Sequence, residues 1–179
     1  MIEPISLADK LYGLHIEELA KNRINQQFSN SHLNNAIAVL TSMARYSEKS
    51  LKIYCGNLCT EVSSDEEYLR EIQMFLERKG DIKVVLCGDD VERVRETQIW
   101  NLFKKYPERV NVYKTEGKVL YNNQPCHFTV SDGRAYRLET DTQTKKAFGN
   151  FSNDESALCL EQHFDLVLKS TKTEMFPFE

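Results

Sequence analysis

The polar residues best suited to chemistry lie in two short segments of alternating pattern, around residues 127–131 and 135–139. Successive side chains of an extended strand point to opposite faces, so His127, Thr129 and Ser131 would share one face of the first strand. Arg137 and Glu139 would likewise share one face of the second. If the two strands pair as a hairpin, a cluster of His, Arg and Glu can form.

Such a cluster has two interpretations. Arg137 could donate two hydrogen bonds to a phosphate, with His127 as nucleophile or as general acid and base. Alternatively, Arg137 and Glu139 form a structural salt bridge along one strand face, and His127 is merely hydrogen-bonded nearby. We give the structural interpretation precedence, because clustered polar groups occur in structural networks as well as in functional sites.

Three further residues are candidates for the same site. Asp132 could join the catalytic group if the cluster is active, although the Asp132-Gly133 pair is fully explained by a tight hairpin turn that requires positive φ. Lys145 and Lys146 could contact phosphate together with Arg137, or form a solvated basic face.

The sequence predicts neither a metal nor an organic cofactor. Cys55 and Cys59 form a C-x3-C pair, but a zinc site would need two more convergent ligands. Patterns typical of phosphate-binding loops, dinucleotide-binding folds and Ser-His-Asp hydrolases are absent from the sequence.

Composition predicts a single cytoplasmic domain with no membrane association. The 179 residues are 41% hydrophobic, enough for one sizeable core. A net charge of −4 supplies no general attraction for nucleic acid or anionic membranes, so nucleic acid is a possible partner that the charge does not indicate. The odd number of cysteines suits a reducing compartment. The N-terminal segment lacks a secretory h-region, and no run of about 18 apolar residues occurs.

Hydrophobic periodicity predicts helices that alternate with strands and then an antiparallel meander. The expected helices are 5–24, 31–47, one that begins at Ser63 or Ser64, one from Asp89 or Asp90 to Tyr106, and one that follows Asn153. The expected strands include 51–55, 82–87, 110–113 and 147–151. We expect a helical extension over 1–30, an α/β domain over 31–172 and a loose tail over 173–179. The stripe of Leu7, Leu11 and Leu14 indicates a peripheral or partner-docking first helix.

Three runs carry a family resemblance: ARYSEKSLKIYCGNL, SDEEYLREIQMFLERKGDIKVVLCGDD and FKKYPERVNVYK. Their order of helix, strand, helix and strand resembles the first part of a phospholipase-D-like half-domain. The resemblance implies a mixed sheet of about six or seven strands flanked by helices. It also implies a signature of the form His-x-Lys-x4-Asp, whose histidine attacks phosphorus, and two copies that face each other across a dyad.

The equivalent segment of this chain departs from that signature. If Asp132 takes the place of the family aspartate, Pro125 stands in the histidine position and His127 in the lysine position. If His127 is instead the family histidine, Thr129 and Arg134 replace the lysine and the aspartate. Neither alignment supplies the full motif.

These departures predict a catalytically inactive phospholipase-D-like module for binding or interaction. An accessory or regulatory subunit of a bacterial system, such as phage defence, is one setting for it. One alternative is a divergent phosphodiesterase or nuclease that acts as a homodimer through His127. Another is a sensor that binds phosphate or nucleic acid without cleavage. The expected partners are a second copy of the chain, by analogy with single-copy family members, and a protein in a larger complex.

Overall fold

A computed structural model describes residues 5–58 and 60–178, which form one large mixed sheet with helices on both faces. The main sheet has eight strands within the described residues, rather than the expected six or seven, because short segments at its two edges also pair. The strands are β1 (Phe28–Asn30), β2 (Ser50–Cys55), β3 (Asp81–Leu86), β4 (Val110–Thr115), β7 (His127–Ser131), β8 (Ala135–Asp141), β9 (Lys146–Asn150) and β10 (Thr173–Met175). A separate small hairpin joins β5 (Leu120–Tyr121) to β6 (Gln124–Pro125).

The sheet is parallel in one part and antiparallel in the other. Its strand order is β1-β9-β8-β7-β2-β3-β4-β10, in which β2, β3 and β4 run parallel and every other neighbouring pair is antiparallel. The described helices are α1 (Leu7–Lys21), α2 (Leu33–Tyr46), α3 (Glu66–Glu77), α4 (Gln98–Phe103) and α5 (Asp154–Leu168). The unit β2-α3-β3 is the predicted strand, helix and parallel strand.

Each face of the sheet has its own core. On one face, side chains of α2, α3 and α4 pack on β2, β3 and β4 around Phe75, Trp100 and Phe103, which are all almost completely buried. On the other face, Phe164 of α5 packs with Phe128 of β7. The sheet is therefore held between two apolar layers, and polar side chains can gather mainly where strands end.

Helix α1 packs through a different face from the one that the sequence pattern suggests. Ser6 caps it, and Ile16 and Leu19 are buried against α2 and β1. The predicted stripe of Leu7, Leu11 and Leu14 instead points away from the protein, with exposed fractions of 72%, 58% and 66%.

The predicted start of α3 at Ser63 or Ser64 is wrong. Those serines lie in a short 3-10 turn, and α3 begins at Glu66 behind Asp65, whose carboxylate accepts a hydrogen bond from the backbone N–H of Tyr68. An ionised carboxylate beside the positive end of the helix dipole is a favourable cap.

The single helix expected up to Tyr106 is divided into two pieces. A 3-10 segment covers Val91–Glu96, and α4 begins only after Thr97. The hydroxyl oxygen of Thr97 accepts from the backbone N–H of Trp100 at 3.3 Å, which starts a new helix at that point.

The C-terminal tail, expected to be loose, is ordered against the sheet. Residues 173–175 pair with β4, and the N–H of Phe176 donates to the carbonyl of Val112 at 2.8 Å. Phe176 is 2% exposed and lies edge-on to Trp100 with ring centroids 5.4 Å apart. Burial of this ring and pairing of an otherwise open strand edge explain the order. Within the described chain, the helices are too short or too polar to cross a lipid bilayer.

Candidate functional site

The hairpin of β7 and β8 brings the predicted polar residues together. In its register His127 lies opposite Glu139, and Thr129 lies opposite Arg137. All four side chains therefore lie on one face of the sheet, near the end at which β2 and β3 also finish. The short turn at Asp132 and the adjoining Gly133 has the positive φ values of 53° and 66° that the sequence predicts.

A buried carboxylate links the imidazole to the guanidinium. Nδ1 of His127 lies 3.2 Å from Oε1 of Glu139, and Nη2 of Arg137 donates to Oε2 of the same carboxylate at 3.0 Å. Nε of Arg137 donates to the side-chain oxygen of Asn30 on β1 at 3.2 Å, and Nη2 also reaches the carbonyl of Lys145 at 3.2 Å. The site is thus assembled from both sides of β8.

The charges of this network are perturbed by burial and by each other. Burial opposes the charge of Arg137 and lowers the pKa of its guanidinium, although Glu139 acts in the opposite direction. Burial would raise the pKa of Glu139, but the contacts with His127 and Arg137 outweigh it, so the pKa of Glu139 is lowered. Glu139 is therefore an anion between two cationic groups at neutral pH.

The pKa of the His127 imidazole is also shifted by its surroundings. Burial disfavours its charged form, but the neighbouring Cys87 and the Glu139 carboxylate outweigh burial and raise the pKa of His127 to about 9. The imidazole is therefore mainly an imidazolium at neutral pH. It can donate hydrogen bonds from both nitrogens, and it lacks the lone pair that a nucleophile needs.

A cavity of about 280 Å³ opens beside this network. It lies between the sheet end and the segment that connects β2 to α3. The residues whose side chains give it polar character include Ser63, Tyr68, Thr129, His127, Arg137 and Glu139. Cationic groups and hydroxyls facing one small cavity are suited to an anion with several acceptor oxygens.

Other predicted site residues have different positions. Asp132 lies at the opposite end of β7 from His127, where its carboxylate accepts backbone N–H groups of Glu48, Lys49 and Ser50 at 2.8, 2.8 and 2.9 Å. Asp132 is thus held in a structural role at the turn, as its sequence context suggests. Lys145 lines the same cavity as Arg137, and its backbone carbonyl accepts a hydrogen bond from Nη2 of Arg137 at 3.2 Å.

The remaining predictions concern Lys146 and the C-x3-C pair. Lys146 is exposed on β9. The second residue of the C-x3-C pair, Cys59, lies outside the described residues. Among those that are described, no group of three or more His, Cys, Asp and Glu side chains converges as metal ligands would.

Sequence reasoning missed two members of the site, Asn30 and Cys87. Asn30 reaches Arg137 because β1 pairs with β9 at the edge of the sheet, and nothing in the local sequence indicates that pairing. Cys87 follows directly after β3 in a run that reads as buried strand, a position typical of a small apolar core residue. The polar segment that follows it, Gly88-Asp89-Asp90, marks the strand end and could have indicated a thiol at the sheet edge.

Comparison with known proteins finds solved structures of similar fold but no match by sequence. No family model matches the chain, and no curated protein matches it. One similar solved structure is TrmBL2, described as an archaeal chromatin protein with a novel mode of DNA binding. It matches with a TM-score of 0.64 and 9% sequence identity, and the match covers 94% of this chain and 63% of the TrmBL2 chain. NucT from Helicobacter pylori matches with a TM-score of 0.59 and 15% identity, over 86% and 99% of the two chains.

A third solved structure names the fold. Nuc from Salmonella typhimurium, a phospholipase D family member, matches with a TM-score of 0.52 and 9% identity, over 84% of this chain and 99% of that one. Sequence identities this low are evidence of a shared fold and not of a shared function. The match spans most of both chains and agrees with the order of elements described above. This chain therefore has the phospholipase-D-like fold.

Proposed function

We propose that this chain is a binding module with a phospholipase-D-like fold, which holds a phosphate-bearing anion in the cavity beside His127 without cleaving it. The observation that carries the proposal is the 3.2 Å contact of His127 Nδ1 with the Glu139 carboxylate, which helps to raise the pKa of the imidazole to about 9. In the resembled family a histidine attacks phosphorus, and that step requires a neutral imidazole. An imidazolium is instead a cationic hydrogen-bond donor.

Arg137 supports the anion-binding part of the proposal. Arg137 lines the cavity, and with Nε and Nη2 engaged by Asn30, Glu139 and the Lys145 carbonyl, its Nη1 is the nitrogen that can donate to an anion. The hydroxyls of Thr129 and Ser63 line the same cavity and add neutral donors. Glu139 balances one of the two cationic charges of His127 and Arg137, so the three groups together keep an excess of positive charge. Binding is therefore expected to be selective rather than tight.

A divergent phosphodiesterase is the second candidate, because a specific contact favours it. A histidine whose Nδ1 contacts a buried carboxylate is oriented in the way that nucleophilic and general-base histidines are. Such an enzyme would need the neutral imidazole, so its rate should rise as the pH increases through about 9. The two functions therefore predict opposite outcomes at high pH.

The decisive experiment measures binding and cleavage on the same protein. Inorganic phosphate would be titrated by calorimetry, and labelled single- and double-stranded DNA, RNA and a generic phosphodiester would be incubated at neutral pH and near pH 10 without added metal. The variants are His127→Ala and the control His15→Ala, an exposed histidine of α1.

Saturable phosphate binding that is lost in His127→Ala and kept in His15→Ala, with no turnover at either pH, supports the binding module. Turnover that increases with pH and disappears in His127→Ala would overturn the proposal in favour of the phosphodiesterase. Absence of both binding and turnover would remove the phosphate ligand from the proposal.

The quaternary and biological parts of the proposal rest on the resemblance. A homodimer is expected because single-copy members of the resembled family pair, and sedimentation of the purified chain tests it. If nucleic acid is the ligand, affinity should fall steeply with added salt, whereas an apolar protein interface should be nearly insensitive. An accessory role in a bacterial system such as phage defence would be tested by co-purification from the native host.

A further inference from the structure

We propose that a second cavity, between the β5–β6 hairpin and α5, binds an organic cation in which an alkylated ammonium group is attached to an apolar body. This α5 cavity is bordered by Tyr121, Tyr136, Phe148 and Glu155. The site is independent of the proposed anion binding, because the two cavities lie on opposite faces of the sheet. Aromatic rings grouped around a cavity are the surroundings in which proteins bind alkylated ammonium ions.

Strand alternation lets β8 contribute to both cavities. Arg137 and Glu139 point to the face that carries the anion cavity, and the side chains of Tyr136 and Leu138 point to the face that α5 covers. Phe148 of β9 lies opposite Leu138 in the register of the two strands. The aromatic side chains of β8 and β9 therefore meet α5 on the face of the sheet that is turned away from the anion cavity.

The β5–β6 hairpin is held over this face by hydrogen bonds at its base. The hydroxyl of Tyr54, a residue of β2 that is 1% exposed, donates to the carbonyl of Gly117 at 3.1 Å and accepts from the N–H of Val119 at 3.0 Å. The N–H of Cys126 donates to the carbonyl of Val119 at 3.2 Å. The hairpin is thus a fixed wall of the α5 cavity, and it carries Tyr121 to a defined place beside β9.

Three aromatic rings border the α5 cavity, whose volume of about 530 Å³ suits a small organic molecule. The ring centroids of Tyr121 and Phe148 are 5.9 Å apart with planes inclined at 61°, and those of Tyr136 and Phe148 are 6.3 Å apart with planes at 90°. Rings inclined so steeply form walls of different orientation rather than one stacked layer. The face of an aromatic ring attracts a cation that lies within about 6 Å of its centroid, so a cation in this cavity can be attracted by more than one ring.

The charged side chains at the α5 cavity favour a cation over an anion. Among the described residues that line it, Glu155 is the one carboxylate, and lysine and arginine are absent. Glu155 is exposed and forms no ion pair with another described residue. Together with Asp154 it outweighs the positive end of the α5 dipole, which amounts to about half an elementary charge. His163, which also lines the cavity, lies two helical turns further along α5 and is not paired with Glu155.

A buried hydroxyl group offers the ligand a polar contact. Tyr136 is 5% exposed and lines the α5 cavity, and its hydroxyl makes no hydrogen bond with any residue that the structure describes. The polar groups of buried side chains normally have a hydrogen-bond partner. A hydroxyl on the apolar body of the ligand would supply that partner, so we expect the ligand to carry such a group as well as its cation.

The test compares two probes that have the same shape and differ in charge. The cation meta-hydroxyphenyltrimethylammonium and the neutral meta-tert-butylphenol differ only in that a carbon atom replaces the charged nitrogen, and both carry a hydroxyl for Tyr136. Each probe is titrated into the intact chain at neutral pH, and binding is measured by calorimetry and by ligand-observed NMR. We expect the cation to bind saturably and about tenfold more tightly than the phenol. Equal affinities for the two probes, or no saturable binding of the cation, would overturn the proposal.

Variants at exposed positions locate the binding site without risk to the fold. Tyr121→Leu removes a ring that is 39% exposed, and Glu155→Gln removes the carboxylate. Each should weaken binding of the cation by about threefold and leave the phenol less affected. The control is Glu66→Gln, which removes an exposed carboxylate from the first turn of α3 and should leave the affinity unchanged. Cation binding that neither Tyr121→Leu nor Glu155→Gln weakens would overturn the assignment to the α5 cavity, whatever the result for phosphate.

Discussion

Replacing Glu139 with glutamine tests whether the buried charge network has the energetics described above. Glu139 and Arg137 are each 5% exposed, and the carboxylate is the anion that contacts the guanidinium. Glu139→Gln keeps the shape of the side chain but leaves the buried guanidinium with neutral acceptors only. Removal of one partner from a buried pair costs about 3–5 kcal/mol, a large part of the total stability of a domain, which is about 5–15 kcal/mol.

The assay is urea unfolding at neutral pH, followed by fluorescence of Trp100, the single tryptophan, which is 1% exposed. We expect Glu139→Gln to lower the free energy of unfolding by about 3 kcal/mol. The control is Glu174→Gln, which removes a surface ion pair with Lys114 and should change stability by less than about 1 kcal/mol. Arg137→Met combined with Glu139→Gln should recover much of the loss, since it removes the unpaired cation. A loss below about 1 kcal/mol in Glu139→Gln would refute the reasoning.

Three other perturbations test separate parts of the structure. Because the pKa of His127 is raised to about 9, the stability that its charged form contributes is complete below about pH 6.5 and is lost as the pH rises through about 9. The free energy of unfolding in urea should therefore fall by up to about 3 kcal/mol over this pH range, and His127→Gln should remove that fall. Asp132→Ala removes the acceptor of three backbone N–H groups and should lower the unfolding free energy by about 1–3 kcal/mol, with Asp132→Asn less damaging. Phe176→Ala should lower the thermal midpoint through the loss of about 3 kcal/mol of packing, and an unchanged midpoint would mean a loose tail.

The part of the site that could be predicted is the part that depends on local geometry. Strand alternation places His127 beside Glu139 and Arg137 because side chains repeat every two residues and the turn at Asp132 fixes the register. These are short-range effects, and the sequence contains all the information that they need. The sequence allows either a structural salt bridge between Arg137 and Glu139 or an anion site that includes His127. The structure contains both the salt bridge and a cavity beside these side chains.

The part that could not be predicted depends on which strands become neighbours. Asn30 and Cys87 join the cluster through sheet order, which places β1 next to β9 and the end of β3 next to the end of β2. Periodicity cannot reveal such order. The division of the segment before Tyr106 was in principle visible, since Thr97 is a good helix cap, but the continuous apolar pattern obscured it. The docked tail required knowledge that β4 would otherwise be an open edge.

The carboxylate of Asp132 has a consequence for how the protein opens. It binds the turn before β2 to the turn between β7 and β8, segments 82 to 84 residues apart in the chain, at the junction of the parallel and antiparallel parts of the sheet. Neither part can separate from the other without breaking this tie. Amide hydrogens of Leu51 and Val130 should therefore exchange with solvent through a single shared opening event, and the sheet should behave as one cooperative unit rather than two.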